Sequence, residues 1–231
     1  MIITGTLINM GLVTLGTFLG VALKSKLPDK IVKTVFQAMG LFTLFLGFSM
    51  ALKIENILVV VFALVVGGII GEAVDLESLT EKGTEKIKSK IKFGGEKFSE
   101  GMITAFLLYC IGSMTIIGSI EEGMKGDSTL LVTKSIMDGF TSIALASVFG
   151  IGVAFSVFPM LLVQGGLTLG AFYFGNFISN SVIADLSAVG GILLIGLGIN
   201  ILEIKKIKIF NIFPALVFVV IFAWLKIKFG F

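Results

Sequence analysis

The chain has 231 residues, of which 56% are hydrophobic and 14% charged, at a net charge of +3. A soluble domain carries roughly 45–50% apolar and about 25% charged residues, so water is not the solvent for most of this chain. Zero His and one Cys, Cys110, exclude zinc fingers, His-ligated haem, His-based general-base chemistry and an intrachain disulfide framework, and with Lys as the sole basic residue the bidentate clamps for phosphate and guanine are missing, which argues against nucleic acid as a partner.

A bilayer core needs about 20 consecutive apolar residues per helix. Eight segments fit: residues 3–23, 34–52, 57–73, 102–120, 136–155, 158–178, 182–202 and 209–225. The first has no positive n-region and no small-residue cleavage site after it, so it reads as a retained span and not as a signal peptide. Between the fifth and sixth only Ser156, Val157 and then Pro159 mark a boundary. An unbroken helix over both would be about 65 Å long, roughly twice the bilayer core. The chain is expected to turn back near Pro159, or to be re-entrant there.

Lys placement sets the orientation. Clusters follow the first segment (Lys24, Lys26, Lys30, Lys33), the third (Lys82 to Lys97) and the seventh (Lys205, Lys206, Lys208). Eight spans with both termini outside put all three clusters in the cytoplasm. The polar stretch 74–101 alternates Lys and Glu, and Leu76, Leu79, Ile87, Ile91 and Phe98 could line one face of a helix lying on the membrane. The expected organisation is therefore 1–73, three spans; 74–101, a cytoplasmic amphipathic connector; 102–157, a central pair; and 158–231, three more spans.

The first and last of these parts resemble each other. Thr14–Phe18 and Thr168–Phe172 both read Thr-Leu-Gly-x-Phe, each with an amide upstream, Asn9 or Gln164. At an offset of 150, Ala38, Gly40, Leu44, Leu52 and Ile54 match Ala188, Gly190, Leu194, Leu202 and Ile204. The third and eighth segments begin Asn56-Ile-Leu and Asn211-Ile-Phe. Five crossings separate the first segment from the sixth, so a duplication would make two inverted three-helix units with the fourth and fifth segments inserted. That is a recurring plan of secondary transporters, whose sites lie at the midplane. The fold class is all-α, a polytopic bundle of about eight helices with an inverted 3+3 repeat.

Gly16-x-x-x-Gly20 and Gly67-x-x-x-Gly71 fit close helix packing. The pair Gly165-Gly166, directly after Gln164, is a candidate helix break. Asp138, at the start of the fifth segment, is either a functional carboxylate in the membrane or an N-terminal cap, and Asp185 in the seventh carries the same ambiguity with capping preferred. Asn9, Thr14, Thr168, Ser113, Gln164 and Glu122 complete the candidate solute or ion path; each neutral group could instead tie one helix to the next. No Lys is expected at the centre of a span. Along an ideal hairpin Asp138 is expected toward the outside and Gln164 toward the inside, as two stations and not in contact. No metal ligands, catalytic residues or cofactor are assigned, and the nine Met read as core packing.

The segment GSMTIIGSIEEGMKGD followed by KSIMDGF, together with GIGVAFSVFPMLLVQGG and GLGINILEIKKIKIFNIFP, resembles the bacterial multi-pass "domain of unknown function 554" family along nearly the whole chain. The resemblance implies a bacterial inner or plasma membrane protein and marks Glu122, Asp127, Lys134, Asp138 and Gln164 as polar positions of a shared pattern. It carries over no ligand set. The favoured function is a secondary transporter of a small solute or ion, coupled to H+ or Na+, with the lipid bilayer, a small solute or cation and a homo-oligomeric copy of itself as partners. The alternatives are a passive channel of the same fold, a noncatalytic partner subunit and, weakest, a lipid-headgroup enzyme built on Glu121, Glu122, Asp127 and Lys134.

Overall fold

The structure, a computed structural model, describes residues 2–24, 28–90, 97–110, 112–174 and 179–229. All regular secondary structure among them is helical: α1 Thr4–Lys24, α2 Asp29–Ala51, α3 Ile57–Val74, α4 Leu76–Lys90, α5 Phe98–Cys110, α6 Ser113–Lys125 and α7 Thr129–Phe149 come first. Then follow α8 Gly152–Phe155, α9 Val157–Met160, a π-helical turn at Leu161–Gly165, α10 Gly166–Phe174, α11 Asn180–Ile201, α12 Ile209–Ile212 and α13 Ala215–Phe229. Among the described residues, six stretches are long and apolar enough to cross a membrane: Thr4–Leu23, Ile57–Val74, Thr129–Phe149, Gly152–Tyr173, Asn180–Ile201 and Ile209–Lys226. The pair Phe98–Cys110 and Met114–Lys125, bent by 59°, makes a seventh if it is one broken span, and Gln37–Ala51 is apolar but shorter. The protein is a multi-pass membrane protein. Its exposed side chains fit that solvent, since Leu15, Phe18 and Leu19 on α1 and Phe62 and Ile69 on α3 all face outward.

Two boundaries differ from the sequence expectation. The helix carrying Asp138 begins at Thr129, so Asp138 lies nine residues inside α7 and caps nothing. Asp127 starts that helix by accepting the Thr129 N–H at 2.9 Å. The turn after α7 falls at Gly150, and Pro159 sits within the next span. Gly150 has φ +80°, a conformation that side chains with a Cβ resist. The Gly165-Gly166 pair does not break its helix; it marks the passage from the π turn into α10. The connector is helical over Leu76–Lys90, with Leu79 exposed and Phe98 already buried in α5, while Ile91 lies outside the described residues.

The chain forms two compact units. In the unit made of residues 1–38, 84–110 and 114–177, α1 and α7 run parallel at backbone contact. Gly5 faces Leu131, Leu12 faces Gly139 and Gly20 faces Ala146. A Cβ on Gly16 would fall 2.1 Å from the Gly139 carbonyl oxygen, so the Gly16-x-x-x-Gly20 stripe is a packing seam, as its spacing predicts. The other unit comprises residues 39–83, 111–113 and 178–231. There α2 and α11 cross antiparallel, Gly47 against Gly191 and Gly40 against Gly198. Likewise α3 and α13 are antiparallel, with Gly67 against the Ala215 backbone.

Candidate functional site

The parallel seam of α1 and α7 fixes the site, because it sets Asn9 beside Asp138. Asp138 is 7% exposed and pairs with Lys134, one turn earlier on α7 and 5% exposed. Residues four apart share a helix face, so KSIMD carries its own counter-ion. A buried pair of this kind is costly to desolvate and is kept where it serves a purpose. Asn9 is fully buried and its Nδ2 donates both to Asp138 Oδ2, at 2.9 Å, and to Gln164 Oε1, at 3.2 Å. The carboxylate decides which end of the amide faces it: the amino group turns in, and Asn9 Oδ1 turns away.

Tyr109 of α5 closes another side. Its hydroxyl meets Ser142 Oγ at 2.7 Å, and Ser142 in turn donates to the Asp138 main-chain carbonyl. The Lys134 ammonium stands 5.7 Å from the centre of the Tyr109 ring, within cation–π reach. Gln164 is carried on the π turn Leu161–Gly165. Such turns loosen the regular backbone ladder and recur at functional sites. Thr168 Oγ1 takes up the Gln164 carbonyl at 3.1 Å.

The chemistry of this arrangement lies in what it leaves open. Asn9 Oδ1 and Gln164 Nε2 are both buried and neither has a hydrogen-bond partner. One is an acceptor and the other a donor. Buried polar groups are almost always paired, and here two amides bonded to each other beside an ion pair each keep one end unpaired.

Of the residues singled out in the sequence, Asn9, Asp138, Gln164 and Thr168 meet here. The expectation that Asp138 and Gln164 occupy separate depths is corrected: Asn9 bridges them directly. Thr14 only donates to the Met10 carbonyl on its own helix. Gly165 is buried and Gly166 exposed, on the turn itself. The Ser113 side chain lies outside the described residues. Glu122 is 3% exposed, and its Oε1 accepts the Gly5 N–H at 2.7 Å, one turn before Asn9 on α1. Sequence reasoning missed Tyr109 and Ser142, and it marked Lys134 as a polar position of the shared pattern without pairing it with Asp138, for which the i, i+4 spacing was the available signal.

Asp185, in the other unit, has a different fate. Ser179 caps α11, accepting from Val182 at 3.4 Å, and Asp185 lies in the second turn, fully buried. Its Oδ1 accepts the backbone N–H of Glu55 at 3.0 Å and of Asn56 at 2.8 Å, and its Oδ2 accepts Asn56 Nδ2 at 2.8 Å. It caps, but for α3 and not for its own helix.

The chain is 34% identical over 216 residues to the uncharacterized membrane protein YdfK of Bacillus subtilis (strain 168), covering 92% of each chain. It is 33% identical over 219 residues to the uncharacterized protein YqgA of Escherichia coli (strain K12), covering 93% of each. No solved structure matches it. Residues 4–224 match the family described as protein of unknown function (DUF554), and the chain belongs to that family.

Proposed function

We propose that this protein is a secondary transporter for a small neutral or zwitterionic solute, bound between Asn9 and Gln164 beside the Lys134–Asp138 pair. The observation that carries the reading is the pair of buried, unpartnered amide groups, Asn9 Oδ1 and Gln164 Nε2. Lys134 and Asp138 cancel in charge, so a full charge on the solute would meet no uncompensated partner, whereas a group with one donor and one acceptor would satisfy both orphans. An amide, a carboxamide or an amino acid has that form.

An inverted repeat is part of the proposal. Asn9 and Gln164, the two amides that the repeat equates, are hydrogen-bonded to each other. The equated pairs α2/α11 and α3/α13 each cross antiparallel, so the early part of one helix meets the late part of the other. Thus Asn56, at the start of α3, bonds Lys226 near the end of α13, and Asn211, before α13, bonds Glu72 near the end of α3. Such reciprocal contacts are what a two-fold relation between inverted units requires. Six spans, the bent α5–α6 pair and Gln37–Ala51 would sum to the eight crossings that place the Lys clusters inside and both termini outside, in a bacterial cell membrane. Single cysteines at Ser89 and at the C-terminus, in a chain lacking Cys110, should be labelled from opposite faces of intact cells.

The functional test is a thermal-shift screen of amides and amino acids on the purified protein, followed by uptake of each stabilising compound into proteoliposomes. A compound that stabilises the wild type but not Gln164→Met, and is taken up against a gradient, supports the reading. Uptake that only follows its own gradient favours the passive channel. A screen in which stabilisation survives both Asn9→Ala and Gln164→Met removes this site from consideration.

A further inference from the structure

A second set of buried oxygens lies one helical turn from the solute site. Hydroxyls inside helices ordinarily donate to the carbonyl four residues before, as Thr14, Thr17, Thr43, Ser135 and Ser142 all do here. Ser119 breaks that habit, and Thr6, in the first turn of α1, has no helical carbonyl four residues before it. Both are fully buried, and neither hydroxyl has a partner. They occur beside a carboxylate in the same condition: Glu122 is 3% exposed, its Oε1 accepts the Gly5 N–H, and its Oε2 has no partner. Ser119 precedes Glu122 by three residues and so shares its face of α6. Thr6 adjoins Gly5, the residue on which Glu122 is anchored.

We infer that Glu122 Oε2, Ser119 Oγ and Thr6 Oγ1 bind a monovalent cation of the size of Na+. The charge argument is direct. One carboxylate in an apolar surround is expensive, one positive charge neutralises it, and a divalent ion would leave an unbalanced charge of its own. The donor set fits as well, since hard cations take carboxylate, hydroxyl and carbonyl oxygens. The three oxygens do not hydrogen-bond to one another, so each is free to point at a shared ion. A proton on Oε2 would satisfy the carboxylate but leave the two hydroxyls as they are. The Gly5 N–H on Oε1 holds the carboxylate in place while Oε2 stays available.

The site would couple to the solute through two short connections. Gly5 and Thr6 lie one turn before Asn9 on α1, about 6 Å along the axis. On α6, Gly123, next to Glu122, packs against the Thr168 backbone, and Thr168 holds the Gln164 carbonyl. Ordering of α1 and α10 by the ion would therefore favour the geometry in which Asn9 and Gln164 receive the solute. This consequence rests on the transporter reading; ion binding itself does not.

The experiment is Na+ binding to the purified full-length protein without any solute, read as 22Na+ retention and as the melting temperature in NaCl against choline chloride at equal ionic strength. Binding to the folded state raises the melting temperature in proportion to the logarithm of ion concentration over Kd, and that dependence is expected with NaCl alone. Glu122→Gln keeps an oxygen for the Gly5 N–H and removes the charge, so it should melt normally in choline and lose the Na+ response. Ser119→Ala should weaken Na+ roughly fivefold, the worth of one neutral polar contact. Equal melting of the wild type in both salts, undiminished 22Na+ retention by Glu122→Gln, or a response to pH in place of Na+ would each overturn the assignment. A protein that binds Na+ but transports nothing overturns the transporter reading and leaves the ion site standing; a protein that takes up solute but binds no Na+ overturns the ion site and leaves the transporter reading standing.

Discussion

Asp138 and Asp185 are both buried carboxylates on long apolar helices, one in each unit, and both could be read from the sequence as cap or site. Their surroundings differ in kind. Around Asp185 both oxygens are engaged, by the Glu55 and Asn56 amides and the Asn56 side chain, and the network ends there. Around Asp138 the network extends through Asn9 to Gln164 and stops at two atoms without a hydrogen-bond partner. A closed set of hydrogen bonds contributes to folding. An open set costs stability, and in the proposed function the solute is what offsets that cost.

The largest effect should come from Lys134→Met, which strands the Asp138 carboxylate in an apolar interior. A loss of about 3–5 kcal/mol is expected for breaking a buried pair on one side, measured as a fall in melting temperature or in yield of folded protein. Lys134→Met combined with Asp138→Leu should recover most of it and still bind no solute. If the double variant is no more stable than the single, the pair is not the source of the cost.

Next in size is Asp185→Asn. Loss of the charge on three hydrogen bonds at the start of α3 should cost about 1.5–3 kcal/mol, while solute and Na+ affinity stay as in the wild type. A change in either affinity would erase the distinction between the two carboxylates.

Gln164→Met should act the other way round. Solute affinity should fall by about 1–3 kcal/mol, the worth of a polar contact left unmade, while the solute-free protein loses less stability than Asp185→Asn does, because Nε2 has no bond to lose and the one bond that goes is Oε1 to Asn9 Nδ2, which keeps its bond to Asp138. A fall in stability equal to that of Asp185→Asn would mean that Gln164 is a structural tie.

The smallest effect concerns pH. Burial holds the Glu77 carboxyl above its ordinary value, against the pull of the Phe210 N–H that it accepts at 3.1 Å. The folded state thus binds its proton more tightly than the unfolded one. This contribution is fully present below the unfolded pKa and is lost as pH rises through the folded one. For a half-buried group it amounts to about 1 kcal/mol or less. Glu77→Gln should flatten that part of the stability–pH curve in the mildly acidic range without moving solute or Na+ affinity.

The spans were legible because hydropathy reads solvent directly, and all six long apolar helices fall on segments marked in the sequence. The site was legible only in pieces. Asn9, Asp138 and Gln164 stood out as polar groups in apolar surroundings, but their meeting depends on the parallel contact of α1 with α7, and a Gly stripe announces packing without naming the partner helix. Lys134 is marked in the sequence, but outside the fifth segment, because a Lys near the end of an apolar run reads as a snorkelling or extramembrane charge and puts the helix start after it. The Asx turn in which Asp127 accepts the Thr129 N–H was the local signal for the true start. The turn was placed at Pro159 since proline is the usual mark, whereas the chain turns where Gly150 permits a positive φ.

The π turn at Leu161–Gly165 has a consequence for chain length. A wide turn absorbs one extra residue without altering the helical phase on either side, so the outward faces of Phe158 and Leu169 keep their orientation across it. Deleting one residue elsewhere in the span would rotate everything downstream by about 100° and bring lipid-facing groups inward. Deleting one at this turn would restore an ordinary α-helix, preserve both flanks and swing the Gln164 amide away from Asn9. Insertions and deletions at this one place therefore separate insertion into the bilayer from ligand recognition, and length variation there would alter what the protein binds while leaving how it spans the membrane unchanged.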